Sequence, residues 1–254
     1  MSEILVRIHN LSKKYGDFQA VDSLSFEVRQ GEIFALLGPN GAGKTTTIRM
    51  LMGILRATKG EATVDGMDCF RGRAEVMERV GYMPDEPVFY DYLRGSEIIR
   101  FCGEMRGLPP GTVETRSKAL AERLSLDNDL EEYAANYSKG MKKKLAAIVA
   151  FMHDPKLLIL DEPTNGLDPY ATRAIHELVR ERVANGSSVF FSTHLLDQAE
   201  KLCTRVGILF KGRLSAIGRL DELRASSTGG QSLEEVFFSV TSEADEEPDA
   251  GVES

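Results

Sequence analysis

The chain has no tryptophan, only three cysteines among 254 residues, and no surplus of basic side chains. Its longest unbroken apolar run is residues 145–152. A membrane-spanning helix needs about 20 such residues, so none is expected. Residues 1–10 lack a basic start followed by an apolar stretch, and no secretory leader is expected. Cys69, Cys102 and Cys203 stand far apart, which argues against a paired metal site and for reduced thiols. With 31 basic against 39 acidic side chains the net charge is −8. That balance disfavours non-specific nucleic-acid binding, which depends on Lys and Arg neutralising phosphates. Six of the acids and no base lie in residues 242–254. That stretch reads as a solvated, disordered tail after a single domain over residues 1–241.

What is present is an alternation of short apolar runs and helical patterns. Residues 5–8 and 24–28 read as two strands separated by a polar stretch, 12–19, that carries Tyr15. Residues 33–37 form a buried strand, followed by a glycine-rich loop and a helix over 45–55. Asp65-Gly66 marks a hairpin. Residues 86–155 read as a helix-rich insert. Beyond it come apolar strands at 157–160, 188–191 and 206–210, alternating with helices. The fold class expected is α/β: a core with a parallel sheet, an N-terminal antiparallel β subdomain and an inserted α-helical subdomain.

Residues 38–45, GPNGAGKT, fit the phosphate-loop pattern G-x-x-x-x-G-K-[ST]. Glycines let the backbone N–H groups turn inward on an anion, and the following helix adds the positive end of its dipole. Lys44 supplies a cation for the β and γ phosphates, and Thr45 a hydroxyl for Mg²⁺. At 157–162, LLILDE, an apolar strand runs into two carboxylates. Ligands of open α/β sheets sit at the carboxyl ends of strands. Asp161 is therefore placed to hold Mg²⁺ and Glu162 to polarise an attacking water. The alternative for the pair is an acidic turn or helix cap.

Four further segments carry a family resemblance: YSKGM at 137–141, the run DEPTNGLDP at 161–169, Ser192-Thr193-His194 closing a strand, and Tyr15 ahead of the loop. Together they resemble the nucleotide-binding subunit of ATP-binding-cassette (ABC) transporters over about residues 3–217. The resemblance implies an ATPase that powers transport, with ATP and Mg²⁺ as ligands. Its implied partners are an integral-membrane permease and a second, identical or similar ATPase chain. The implied location is the cytoplasmic face of the cell membrane. Tyr15 matches the aromatic that stacks on adenine. Gly38, Pro39, Asn40, Gly41, Ala42, Gly43, Lys44, Thr45 and Thr46 match the phosphate cradle. Asp161 matches the Mg²⁺ carboxylate, Glu162 the catalytic carboxylate and His194 the switch histidine. Asp168 matches the loop that crosses to the second chain. Ser138, Lys139, Gly140 and Met141 match the signature segment, which caps ATP held by that other chain.

Two segments depart from the family pattern. The signature LSGGQ is YSKGM here, with Lys139 for the first Gly and Met141 for the Gln. The family's coupling-loop Gln is Asp85. Asp85 is expected at the joint between strand 80–83 and the helical insert, facing the nucleotide near Mg²⁺. The alternative is that it caps the turn begun by Pro84. Lys142, Lys143 and Lys144 read as a solvated helix face, or else as part of an interface, and His9, His153 and His176 as surface or core residues. Phe89, Tyr90 and Tyr92 fall where the family meets its membrane subunit, or else pack in the core. Residues 82–93 and 232–240 look like those of export systems. A GTPase is disfavoured because no N-K-x-D motif is present. A chromosome-type ATPase is disfavoured because no heptad run separates Lys44 from Asp161.

Overall fold

In a computed structural model, residues 3–226 and 232–246 are described. Strands β1 (Ile4–Tyr15) and β2 (Phe18–Arg29) are more than twice as long as their alternation suggests. Their pairing shifts register between Ile8 and Leu11 and again before Lys13, and Asn10 adopts a φ of 46°. Such bulges interrupt a period of two without ending the strand. Strands β4 (Lys59–Val64) and β5 (Met67–Asp68) complete an antiparallel sheet in the order β2-β1-β4-β5. Asp65 and Gly66, both at positive φ, make the tight turn between them.

The second sheet holds β3 (Ile33–Leu37), β6 (Val80–Met83), β7 (Leu157–Asp161), β8 (Ser188–Thr193), β9 (Arg205–Phe210) and β10 (Arg213–Arg219). Their order is β10-β9-β3-β8-β7-β6. Every pairing is parallel except that of β10, an antiparallel edge. Sequence-distant β3, β8 and β7 are thus neighbours. Both faces of this sheet are covered, which explains why its strands read as continuous apolar runs. Phe34, Leu36, Ile159 and Phe190 face the antiparallel sheet, while Ala35, Leu37, Leu158, Leu160 and Phe191 face helices. Between the sheets Phe26, Phe34 and Phe190 stack, with ring centroids 5.1 to 6.2 Å apart.

Helix α1 (Lys44–Leu51) follows β3 and stops earlier than expected, because Gly53 turns to a φ of 62°. Helix α2 (Arg73–Arg79) leads into β6. The insert contains α3 (Gly95–Met105), α4 (Pro110–Arg123) and α5 (Lys139–Phe151). It has no separate core: Leu145, Ile148 and Phe151 of α5 join Leu158 and Leu160 of the sheet. A Cβ on Gly81 would meet the Ala150 carbonyl oxygen at 2.1 Å, so α5 and β6 touch backbone to backbone. Helices α6 (Pro169–Ala184) and α7 (Leu196–Leu202) pack on the same face.

At the C-terminal end, α8 (Leu220–Ser226) and α9 (Leu233–Glu246) follow β10. Leu233 and Val236 anchor α9 in the core. The stretch expected to be unfolded from 242 onward therefore begins inside a helix. Residues 247–254 lie outside the described residues. Among the described residues no helix is long and apolar enough to cross a membrane. All three thiols are free, and burial pushes those of Cys69 and Cys203 up to about 12.

His153 is wedged beneath the insert. Arg106 Nη1 lies 2.8 Å from its Nε2, and the Val80 carbonyl lies 3.2 Å from the same nitrogen. Burial, then the Arg106 charge, lowers its pKa from 6.5 to about 4. Between those values the unfolded chain binds the extra proton, so stability falls as pH drops through this window. Urea midpoints measured from pH 6.5 to pH 4 should fall, and His153→Gln should fall less steeply. Phe190→Ala should cost roughly 3–5 kcal/mol in equilibrium denaturation, since it empties the stack between the sheets.

Candidate functional site

The site forms where β3, β8 and β7 end side by side. After β3 the chain passes so close to β9 that a Cβ on Gly38 would meet the Leu209 carbonyl oxygen at 2.3 Å. At Gly43, φ is 106° and a Cβ would meet the Ala20 carbonyl at 2.5 Å, so only glycine fits this bend into α1. Lys44, 6% exposed, folds back to donate to the Gly38 carbonyl at 2.8 Å and the Pro39 carbonyl at 3.1 Å. Its Nζ also lies 3.3 Å from Glu162 Oε1.

β7 delivers the two carboxylates. Asp161 is 1% exposed and accepts from Ser192 Oγ of β8 and from Thr45 of α1. Burial raises its pKa, and those two hydroxyls oppose the rise. Glu162 follows at a φ of 46°, a left-handed conformation that costs a non-glycine residue free energy. Its N–H donates to Ser192 oxygens on β8, which fixes the bend. Its Oε2 accepts from the backbone N–H of His194 at 3.4 Å and from His194 Nδ1 at 3.0 Å. Oε1 is buried beside the Lys44 ammonium, but no donor is aligned with it. The carboxylate is thus oriented from one side and left with acceptor capacity on the other.

A cavity of about 290 Å³ opens over this cluster. Tyr15, Asn40, Gly41, Gly43, Lys44, Thr45, Thr46, Asp85 and Glu162 line it, together with Phe18 and Ala20. Gly38, Pro39 and Ala42 sit behind the loop: two lend carbonyls to Lys44, and the Ala42 N–H closes a turn on Pro39. Tyr15 is 46% exposed, with the Lys13 ammonium 5.1 Å above its ring. Phe18 escaped the sequence reading, although its pairing with Tyr15 across the β1–β2 turn makes the two rings one rim. Ser192 was read only as part of the 192–194 segment, without a role, because that role depends on β8 lying beside β7.

The remaining site candidates lie elsewhere. Ser138 caps α5, its Oγ accepting from the Met141 N–H at 3.2 Å. Neither it nor Lys139, Gly140 or Met141 lines the cavity. Asp168 caps α6 by accepting from the Ala171 N–H at 2.8 Å, which lowers its pKa. Lys142–Lys144 do not form a solvated face. Lys143 is 4% exposed and pairs with Asp85 at 2.9 Å, while Lys144 reaches Asp168 at 3.6 Å and Lys142 reaches Asp91 at 3.9 Å. A run of lysines looks solvated in sequence because its acidic partners lie on other segments.

The residues fit a nucleotide with Mg²⁺. The cradle is closed to side chains at Gly43 and carries the Lys44 cation. A hydroxyl and a buried carboxylate, Thr45 and Asp161, stand together. Mg²⁺ is commonly held in this way, by one or two carboxylates plus substrate phosphates.

A family model described as "ABC transporter" matches residues 21–165. The chain belongs to the ABC transporter family. This ABC chain is 35% identical over 249 residues to the "Probable multidrug ABC transporter ATP-binding protein YbhF" of Escherichia coli (strain K12), covering 96% of the chain and 43% of that protein. It therefore spans less than half of that relative's length. It is also 35% identical to the "Linearmycin resistance ATP-binding protein LnrL" of Bacillus subtilis (strain 168), covering 94% of the chain and 77% of that protein. A solved "Structure of ATP binding subunit of ABC transporter" superposes with a TM-score of 0.88 at 35% identity, covering 93% of this chain and 99% of the other.

Proposed function

We propose that this chain is the ATP-binding and ATP-hydrolysing subunit of an exporter, acting at the cytoplasmic face of the membrane on a separate integral-membrane permease. The observation that carries this reading is the Lys44–Glu162–His194 cluster at the floor of the cradle. Tyr15 and Phe18 offer faces for a base, and the loop 38–46 offers N–H groups for the phosphates. Thr45 and Asp161 would hold Mg²⁺, which neutralises charge on the phosphates. A triphosphate competes with Glu162 for Lys44, because it carries more negative charge than one carboxylate. Loss of the Lys44 pair leaves Glu162 as an oriented base for water, with His194 donating to its other oxygen.

The segment 138–141 and Asp168 lie outside the cavity, which supports a role on ATP held by a second, identical or similar chain. The Ser138 cap leaves a helix N-terminus, a place where phosphate is favoured. Export is the direction suggested by relatives named for multidrug transport and linearmycin resistance. A permease contact is supported by exposed Val88, Tyr90 and Tyr92, whose two rings lie 5.6 Å apart, beside a half-buried Phe89 that packs inward.

Glu162→Gln should bind ATP normally and lose hydrolysis by roughly 10²–10⁴-fold, the usual contribution of a positioned base. In gel filtration, ATP should convert that variant to a dimer. Turnover near the parent rate in a phosphate-release assay would remove Glu162 from its role. Lys44→Ala should lose ATP binding, or bind without turnover; unchanged affinity and rate would contradict the cradle assignment.

A further inference from the structure

Lys143 lies in the middle of a helix, yet its ammonium is buried where three separate segments meet. It pairs with Asp85 Oδ1 at 2.9 Å and donates to the Asn165 carbonyl at 2.9 Å. The Asn165 side-chain amide donates to the same Asp85 oxygen at 3.5 Å. Asp85 lines the nucleotide cavity, while Lys143 does not. Asn165 belongs to the segment that leaves Glu162 and reaches Asp168, and Lys143 belongs to the helix that Ser138 caps. Lys144, the next residue, pairs with Asp168 of that same segment.

A buried ammonium that loses its partner is costly, commonly more so than replacing the whole pair. The three segments can therefore separate only if Lys143 gives up Asp85, Asn165 or both. We infer that Lys143 is a positioning residue that locks the turn at Asp85, the 163–168 segment and the Ser138 helix into one unit. A change at the chain's own ATP is then passed through Asp85 to the segment offered to the other chain's ATP. This rests on the reading of 138–141 as the segment that meets ATP held by a second chain. It also gives Asp85 a partner other than the metal: its nearer role is to hold Lys143.

The test is steady-state ATPase and ATP affinity of the full chain carrying Lys143→Met, Lys143→Gln, Lys143→Arg or Lys142→Gln, and of the Lys143→Gln chain with Asp85→Asn added. Lys143→Met should lower kcat about tenfold, the scale of coupling carried by such junctions, with ATP affinity unchanged. Lys143→Arg and the doubly neutral pair should each recover most of the loss, and Lys142→Gln should match the parent. If Lys143→Met does not fold, Lys143→Gln carries the same comparison, since its amide can still donate to Asn165. A parent-like kcat for both Lys143→Met and Lys143→Gln would overturn the inference. So would a fall in kcat matched by an equal loss of ATP affinity, or a double variant no better than the single one. A chain pair that fails to form with ATP in Glu162→Gln would instead sink the second-chain reading. The kcat-against-affinity split at Lys143 would still decide whether the junction acts through Asp85.

Discussion

A triphosphate brings several negative charges to a protein whose own net charge is −8, and the fold must gather compensation at one point. The order β3-β8-β7 does this. β3 ends in the loop that folds Lys44 inward, β7 ends in Asp161 and Glu162, and β8 between them sends Ser192 to both acids and His194 to the second. Asp161 and Glu162 are held by neighbours from another strand, while Lys44 is held by carbonyls of its own loop. Glu162 keeps a left-handed backbone because β8 accepts its N–H. The apolar faces of the sheet, buried against helices and against the antiparallel sheet, keep these strand ends in register.

Those groups were legible in sequence to the extent that their chemistry is local. The loop 38–45 and the acids after 157–160 are contiguous, and a buried strand before each is visible as an apolar run. The role of Ser192 was not legible, since nothing local says that β8 inserts between β3 and β7. Phe18 was hidden by the bulges in β1 and β2, which made a continuous hairpin read as two short strands with a polar stretch between. Lys143 was misread outright: three consecutive lysines look solvated until the helix is packed against Asp85 and Asp168. In α9, acidic composition outweighed the apolar anchors Leu233 and Val236, which lie upstream of the charged stretch.

The same packing divides the molecule into a floor and a roof. The floor binds nucleotide in one chain. The roof, α5 with its Ser138 cap, is built on β6 through Gly81 and shares the core of the floor, yet its capped end does not line the chain's own cavity. In the proposed function a chain arranged in this way has half of each site, and a second chain would complete it. Exposed Tyr90 and Tyr92 lie on the connection between floor and roof.

The most direct measurement is a crystal structure of the full chain carrying Glu162→Gln, grown with ATP and Mg²⁺. Two chains should sandwich two nucleotides, with Lys44 turned onto the phosphates of its own chain's ATP and Ser138 of each chain against the ATP of the other. A nucleotide bound in a single chain, with Ser138 facing solvent and Lys44 still on residue 162, would contradict the proposed division of the site.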